Sequence, residues 1–192
     1  KKGVSCVKVG IGGSSICTTR VATGIGRPQL EAIMCCAEIA KKYNIPICAD
    51  GGIDTTGSIV DALAAGASTV MMGSMFSGTE ECPGEVITIE GKQHKVYRGM
   101  GSDGARKVRN SSSFLRYGGS AKFRPRAEGI ERYVLLTGSV ISRIEEYRDY
   151  AIQGMNYAGS KTIQELHQKA RFCQLTPVGK HEGEARTGAT KE

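Results

Sequence analysis

The chain has 192 residues, of which 40% are hydrophobic and 23% are charged, as in ordinary globular domains. This length is sufficient to bury a core, and no apolar segment approaches the roughly 20 residues of a membrane-spanning helix. A membrane protein is therefore not expected, and the net charge of +7 is compatible with an anionic ligand.

The cysteines and histidines do not form a metal-binding pattern. None of the seven cysteines belongs to a CxxC pair, and the three histidines lie far from any cysteine cluster. This spacing disfavours a zinc site. The number of cysteines is odd and several fall within apolar segments, which favours reduced thiols and a cytoplasmic location.

The first part of the chain predicts three strand–helix units. Residues 4–9 predict a short strand, which a glycine- and serine-rich loop joins to a helix over residues 28–43. Residues 45–49 predict a second, buried strand, followed by a helix over residues 56–65. Residues 68–72 predict a third strand.

Short apolar strands that alternate with helices indicate an α/β fold with a parallel sheet covered on both faces. Each predicted strand runs into a loop with glycine, at Gly10, Gly51-Gly52 and Gly73-Ser74. In a TIM (β/α)8 barrel such loops build the active site, and their amides can bind a phosphate. The alternative is that these glycines only form tight turns.

Three units cannot close a barrel, which takes about 250 residues. We therefore expect the C-terminal portion of a TIM barrel with a long flap insertion, lacking roughly the first five units. The predicted organisation has four parts: the last βα units with the cysteine loop and phosphate site (1–84), a hairpin and mobile flap (85–137), C-terminal helices (138–176) and a polar tail (177–192).

The second half of the chain is less regular. A hairpin is predicted over residues 85–97. Residues 99–132 are rich in glycine, serine and arginine with little periodicity, which is typical of a functional loop or of disorder. Helical spacing returns at residues 140–153 and 162–171.

The irregular segment is strongly basic. Between Lys92 and Arg132 there are 11 Lys or Arg residues against three acidic residues. Such a segment can close over an anionic ligand, although most such charge simply faces solvent. Its few aromatic residues disfavour nucleic acid as a partner.

Five short motifs follow one another along the chain. They are the segment around Cys17 (7–20), Ala-Asp-Gly-Gly-Ile (49–53), Met-Gly-Ser (72–74), Glu-Glu-Cys-Pro-Gly-Glu (80–85) and Tyr-Arg-Gly-Met-Gly-Ser (97–102). In this order and spacing they resemble the inosine 5′-monophosphate (IMP) dehydrogenase and GMP reductase family over residues 4–176. The resemblance implies an oxidoreductase that acts on a purine nucleotide.

The resemblance implies that Cys17 is the nucleophile that attacks C2 of the purine. The residues themselves agree, because Cys17 follows a Gly/Ser loop and lies close to Arg20 in sequence, surroundings that suit a reactive thiolate. The alternative is a buried structural cysteine. That alternative fits the other six cysteines better.

Further roles follow from the same resemblance. Asp50 corresponds to the carboxylate that binds the ribose hydroxyls, with capping of the next turn as the alternative. Gly10 lies near the nicotinamide of the cofactor NAD. The remaining substrate positions bind the phosphate (Ser15, Gly52, Gly73, Ser74 and Tyr97) or the purine base (Met100 and Gly101).

The family also binds a monovalent cation, usually K⁺, through loop carbonyls. Gly12, Ser14 and Cys17 match these positions, and Glu182 matches a ligand that a neighbouring subunit of a homotetramer supplies. Ser14 replaces a usual glycine, and a positive φ would be strained for serine.

The flap separates the two branches of the family. IMP dehydrogenases hydrolyse a covalent nucleotide adduct with an Arg-Tyr pair, which Arg116 and Tyr117 resemble, aided by Thr19. Glu128 matches a base-contacting residue in both branches, although the chain continues with Arg132-Tyr133 where a dehydrogenase usually has glycine. The base that activates water is either a transiently neutral arginine or a relay through threonine.

The flap favours an enzyme that oxidises IMP to XMP with NAD. The first alternative is a GMP reductase, which converts GMP to IMP with NADPH. The second is a nucleotide-binding fragment without activity, because part of the barrel is absent.

Overall fold

A computed structural model describes residues 3–108 and 126–183. Strands β1 (Val7–Val9), β2 (Ile47–Asp50) and β3 (Thr69–Met71) form a parallel sheet in the order β1-β2-β3. Val9 pairs with Ala49, and Asp50 pairs with Met71. The carboxyl ends of all three strands therefore lie along one edge of the sheet.

Helices connect these strands. They are α1 (Thr19–Thr23), α2 (Gln29–Lys41) and α3 (Thr56–Ala64), followed after β3 by a 3-10 turn (Ser74–Phe76). Pro28 precedes α2 with extended geometry, as suits a residue that cannot donate a backbone hydrogen bond. Thr55 caps α3 by accepting a hydrogen bond from the Ser58 amide.

The middle of the chain forms a second, antiparallel sheet. It contains β4 (Val86–Ile89), β5 (Lys92–Arg98) and β6 (Glu131–Leu135), with β5 in the centre. The short helix α4 (Asp103–Lys107) follows β5. The pairing of β5 with β6 places Arg132 directly opposite Tyr97.

Three helices complete the described chain: α5 (Val140–Tyr157), α6 (Ile163–Lys169) and α7 (Pro177–Glu182). Ser139, Thr162 and Thr176 cap their N-termini through side-chain oxygens. None of the helices within the described ranges is long and apolar enough to cross a membrane.

The hydrophobic core lies between the parallel sheet and its helices. Ile33 of α2, Ile47 of β2 and Leu166 of α6 are almost completely buried in it. Tyr147 of α5 packs its ring against Phe76 and donates a hydrogen bond to the Met75 carbonyl at 2.8 Å. The 3-10 turn after β3 is thus fixed to α5.

The loop that carries the motif at residues 80–85 is held by charged groups. The buried Lys95 donates to the carbonyls of Glu80 and Cys82. The Glu81 carboxylate accepts from the Val140 amide and the Ser139 hydroxyl, at 2.8 and 2.9 Å. These hydrogen bonds, with that from Val140 first, lower the pKa of Glu81. The motif therefore anchors the antiparallel sheet to the start of α5.

The predicted α/β fold and the parallel βα units are confirmed, and the helices agree to within a few residues. The predicted hairpin is present as β4 and β5, and β6 extends it to a three-stranded sheet. The irregular region contains α4 and the start of β6, which the sequence pattern did not indicate. The segment predicted as a polar tail begins with α7, whose N-terminus Thr176 caps. The division of the chain into four parts stays a prediction.

Ile33 and Ile39 test the position of the core, because both belong to α2 but are 1% and 53% exposed. We expect Ile33→Ala to lower the free energy of unfolding by about 3 kcal/mol, through lost burial and a residual cavity. Ile39→Ala should lower it by less than about 1 kcal/mol. Urea denaturation measures both, and equal losses would contradict this assignment of the core.

Candidate active site

The carboxyl edge of the parallel sheet carries the first group of candidate residues. β1 ends at Val9 and leads into Gly10, and β2 ends at Asp50. The Asp50 carboxylate is partly exposed and accepts a hydrogen bond from Lys8 Nζ at 2.5 Å. The lysine holds this carboxylate at the edge of the sheet, where it can still accept from a hydroxyl group.

The cysteine loop is held in place by backbone hydrogen bonds. Cys17 forms an antiparallel bridge with Gly129. Ile130 N donates to Ile16 O at 2.9 Å, and Thr18 N donates to Glu128 O at 3.0 Å. Residues 16–18 and residues 128–130 therefore run side by side.

Residues 128–130 also pair with the turn after β5. Glu128 N donates to Gly101 O, and Gly99 N donates to Ile130 O, both at 3.0 Å. Gly129 fits closely between the two neighbouring segments, since a Cβ there would lie 3.1 Å from Ser102 N and 3.3 Å from Ile16 O. Three segments that are distant in sequence thus form one layer.

This layer places three side chains in a row. Cys17 Sγ lies 3.2 Å from Thr19 Oγ1, which donates to Glu128 Oε2 at 2.6 Å. The hydroxyl of Thr19 has one proton, and it donates that proton in its hydrogen bond to Glu128. In the contact with Cys17 the Thr19 oxygen is therefore the acceptor and the thiol is the donor. The row is a path along which a proton can leave the sulfur for a carboxylate.

Arg20, which follows Cys17 closely in sequence, is directed elsewhere. Its Nε donates to the Ile11 carbonyl at 3.3 Å, and its side chain packs along Gly12 and Gly26. Thr19 is therefore the group that contacts the sulfur, and Arg20 supports the fold of the loop before it.

The proposed phosphate positions also come together. The Ser14 side chain lowers the pKa of the Tyr97 phenol on β5, and the Tyr97 hydroxyl would lie 2.8 Å from a Cβ at Gly73. A Cβ at Gly51 would lie 3.2 Å from Gly13, so the Gly51-Gly52 turn packs on the loop before Cys17. Tyr97 thus joins the cysteine loop to the loop after β3.

Tyr97 is suited to donate a hydrogen bond to an anion. Partial burial raises the pKa of its phenol, which outweighs the lowering by Ser14 and by the nearby Arg132. The hydroxyl therefore keeps its proton at neutral pH.

Gly10 has a structural reason to be glycine. Its φ is +146°, and a Cβ would lie 1.7 Å from the Asp50 carbonyl oxygen. Gln29, at the start of α2, binds the backbone carbonyls at the ends of both strands. Its Nε2 donates to Val9 O at 2.8 Å and to Asp50 O at 3.2 Å. These contacts fix the ends of β1 and β2 side by side.

The candidate cation loop does not show the strain expected from a serine. Gly12 has a φ of +69°, whereas Ser14 is not among the residues with positive φ in the described chain. Its carbonyl accepts from Cys17 N at 3.0 Å, which closes the turn. The strain that a positive φ would bring to a serine therefore does not arise at Ser14.

The remaining candidate residues lie on an exposed part of the turn after β5, at the end of a helix or outside the described chain. Met100 is half exposed on the turn after β5. Glu182 lies at the end of α7, and within residues 3–108 and 126–183 no hydrogen bond or ion pair joins it to the cysteine loop. The proposed hydrolytic pair, Arg116 and Tyr117, falls outside the described residues.

Sequence reasoning missed four residues that shape the site. Lys8 binds Asp50, and Gln29 binds two strand ends. Glu131 accepts from Ser102 Oγ and Gly104 N, and Arg132 donates to Ser15 Oγ at 3.2 Å. Of these four residues, only Arg132 could have been noticed in the sequence, because it departs from the expected family pattern. The contacts of Lys8, Gln29 and Glu131 depend on strand register and on where the helices pack.

The fold and the cluster together define a class: an α/β-barrel fold with a cysteine loop and glycine-containing loops at the carboxyl edge of its strands. Residues 1–186 match the IMP dehydrogenase / GMP reductase domain. The chain belongs to this family.

Curated relatives agree with this assignment. The chain is 50% identical to the IMP dehydrogenase of Aquifex aeolicus over 182 residues and 47% identical to that of Helicobacter pylori over 178 residues. These alignments cover 94% and 92% of the chain but only 36% and 37% of the relatives. The chain thus spans about a third of the length of the relatives it matches.

A solved structure supports the fold. The chain resembles a crystal structure of GMP reductase from Trypanosoma brucei in complex with guanosine 5′-monophosphate, with a TM-score of 0.85 and 37% identity. The match covers 97% of this chain and 37% of the reductase. The expected C-terminal portion of a TIM barrel is confirmed.

Gly10 provides a test of how the strand ends are packed. We expect Gly10→Ala to lower the free energy of unfolding by more than about 2 kcal/mol, because the new Cβ meets the Asp50 carbonyl at an unfavourable φ. Gly57→Ala is the control, since Gly57 lies in α3, where a Cβ would lie 3.8 Å from Thr55 Oγ1, an ordinary van der Waals contact. It should be neutral or stabilise by up to about 1 kcal/mol. Similar effects in urea denaturation would argue against the close packing.

Proposed function

We propose that this chain is the part of an IMP dehydrogenase that carries the nucleophile and the substrate phosphate site. The observation that carries the proposal is the row formed by Cys17, Thr19 and Glu128, with contacts of 3.2 and 2.6 Å. An ordinary buried cysteine does not need a hydroxyl and a carboxylate in line with its sulfur. The relatives named IMP dehydrogenase supply the reaction class.

IMP would bind across the carboxyl edge of the strands. Its phosphate would lie where the loops after the three parallel strands approach the Tyr97 side chain. The residues that would bind it there are Ser15, Gly52, Gly73, Ser74 and Tyr97. Asp50 would accept hydrogen bonds from the ribose hydroxyls in place of part of its contact with Lys8. The purine would then extend toward Cys17, with Met100, Gly101 and Glu128 along its edge.

The first half of the reaction forms a bond from sulfur to carbon. The Cys17 proton passes to Thr19 Oγ1 as the Thr19 proton passes to Glu128. The sulfur adds to C2 of IMP while the electron pair of the C2=N3 π bond moves onto N3. The hydride on C2 then leaves, and the C2=N3 double bond forms again. Bound NAD⁺ supplies the acceptor for that hydride, and Gly10 lies at the edge of the site where its nicotinamide would approach.

The second half breaks the same bond with water. Arg116 and Tyr117 would orient a water molecule toward C2 once the reduced cofactor has left. Once Glu128 has released the proton of the first half to solvent, Thr19 and Glu128 offer a route for the water proton, which favours the relay through threonine over a neutral arginine. The same route returns that proton to the sulfur, which leaves as the Cys17 thiol as XMP is released.

The loop before Cys17 fits a monovalent cation chemically. The carbonyls of Gly12, Ser14 and Cys17 would hold K⁺, and Glu182 of a neighbouring subunit would add a ligand in a homotetramer. The cation would stiffen the loop that carries the nucleophile.

All seven cysteines are free thiols, which supports a reducing, cytoplasmic environment for the protein.

A GMP reductase is the second candidate, because the solved structure that resembles this chain is a GMP reductase bound to GMP. Both activities use a cysteine and the same phosphate site. They differ in the need for hydrolysis, which the Arg116-Tyr117 pair would serve.

Cys17 tests the nucleophile. In the full-length protein with IMP and NAD⁺, we expect intact-mass spectrometry to detect a nucleotide adduct on Cys17 that decays to XMP. Cys17→Ser should abolish the adduct and lower turnover by at least about 1,000-fold. Cys173→Ser, at an exposed cysteine, should change neither quantity. An adduct that persists in the Cys17 variant would refute the assignment.

Arg116 tests the choice of branch. If it directs water, Arg116→Ala should slow XMP release by about 100-fold or more while NADH still forms in the first turnover, so the adduct accumulates. Arg148→Ala, on the exposed face of α5, is the control. Oxidation of NADPH with GMP that does not depend on Arg116 would instead support the reductase.

A further inference from the structure

Arg132 lies beside the proposed phosphate site. Its position in β6 directly opposite Tyr97 puts both side chains on one face of the antiparallel sheet. The guanidinium lies 5.8 Å from the centre of the Tyr97 ring, and Nη2 donates to Ser15 Oγ at 3.2 Å. The arginine thus contacts two of the five residues assigned to the phosphate.

The charge of Arg132 is not balanced by an acid in the described part of the chain, where it forms no ion pair. Its neighbour Glu131 is committed to Ser102 and Gly104 at the start of α4. A guanidinium in this position retains N–H donors for an anion, and its planar fork matches the oxygens of a phosphate.

A second polar side chain acts on the same tyrosine. Ser14 lowers the pKa of the Tyr97 phenol, and the Arg132 guanidinium lies over the Tyr97 ring. Arg132 therefore lies where the cysteine loop meets one of the proposed phosphate ligands.

We infer that Arg132 is an additional ligand of the 5′-phosphate of the nucleotide. On binding, its Nη groups turn from Ser15 to the phosphate oxygens, while the Tyr97 ring keeps the guanidinium in place. The site then recognises the phosphate with a positive charge as well as with hydroxyl and amide donors. This inference rests on the proposed function, because the phosphate is that of its substrate.

The test compares Arg132→Met with the unchanged full-length protein by isothermal titration calorimetry, using IMP, GMP, ribose 5-phosphate and inosine. Methionine keeps an unbranched side chain but removes the charge and the donors. We expect the Kd of the three phosphate compounds to rise about 10- to 100-fold and the Kd of inosine to change less than about two-fold. Arg148→Met, far along α5, should change none of them.

Arg132→Lys is the second variant, and it tests the same inference if the methionine variant does not fold. It retains the charge without the planar fork, so the loss for IMP should be about three- to ten-fold, again without an effect on inosine. An unchanged Kd for IMP, or equal losses for IMP and inosine, would overturn the inference.

The two proposals fail differently. If the unchanged protein binds neither IMP nor GMP, the proposed function fails, and ribose 5-phosphate alone decides the role of Arg132. If IMP binds and Arg132→Met binds it equally well, only the arginine inference is lost. A protein that binds no phosphate compound at all would overturn both.

Discussion

The position of Cys17, the proposed nucleophile, depends on one set of backbone hydrogen bonds. These bonds hold residues 128–130 between the cysteine loop and the turn after β5. Because the bonds join main-chain atoms, they fix the path of all three segments without regard to their side chains. Glycine at position 129 allows the close approach. Cys17, Thr19 and Glu128 can form a row only because this layer brings Glu128 to the parallel sheet from more than a hundred residues along the chain.

The same layer connects two parts of the fold with different tasks. The parallel sheet supplies Asp50 and the glycine loops, which suit binding of a ribose phosphate. The antiparallel sheet supplies Tyr97 and Arg132 through the register of β5 and β6. A shift of β6 by one residue in that register would turn Arg132 to the opposite face and separate it from Tyr97 and Ser15. The proposed phosphate site is therefore as much a product of strand pairing as of the loops themselves.

Much of this architecture could be predicted from the sequence. Apolar periodicity located α2, α3 and the parallel strands, and the motif order indicated which loops would meet. β6 was missed because residues 131–135 carry exposed, mostly polar or large side chains that alternate weakly, and its pairing with β5 joins segments more than thirty residues apart. The roles of Gln29 and Lys8 were equally invisible, since a glutamine at a helix start or a lysine in a strand usually faces solvent. Their partners are main-chain oxygens and a carboxylate that only the folded chain brings near. The backbone conformation of Ser14 could not be predicted from the residue type, and the turn closes through its carbonyl without a left-handed backbone.

The distribution of sulfur atoms has a practical consequence for chemical labelling. Cys6, Cys35 and Cys173 are exposed, whereas Cys17 is only partly accessible. A small electrophile selected for general thiol reactivity would therefore encounter these surface positions before the loop. Selective modification of Cys17 calls for a reagent whose anionic group is recognised by the loops after the strands and delivers the reactive carbon to the sulfur. For this protein, selectivity among thiols would come from molecular recognition and not from solvent access.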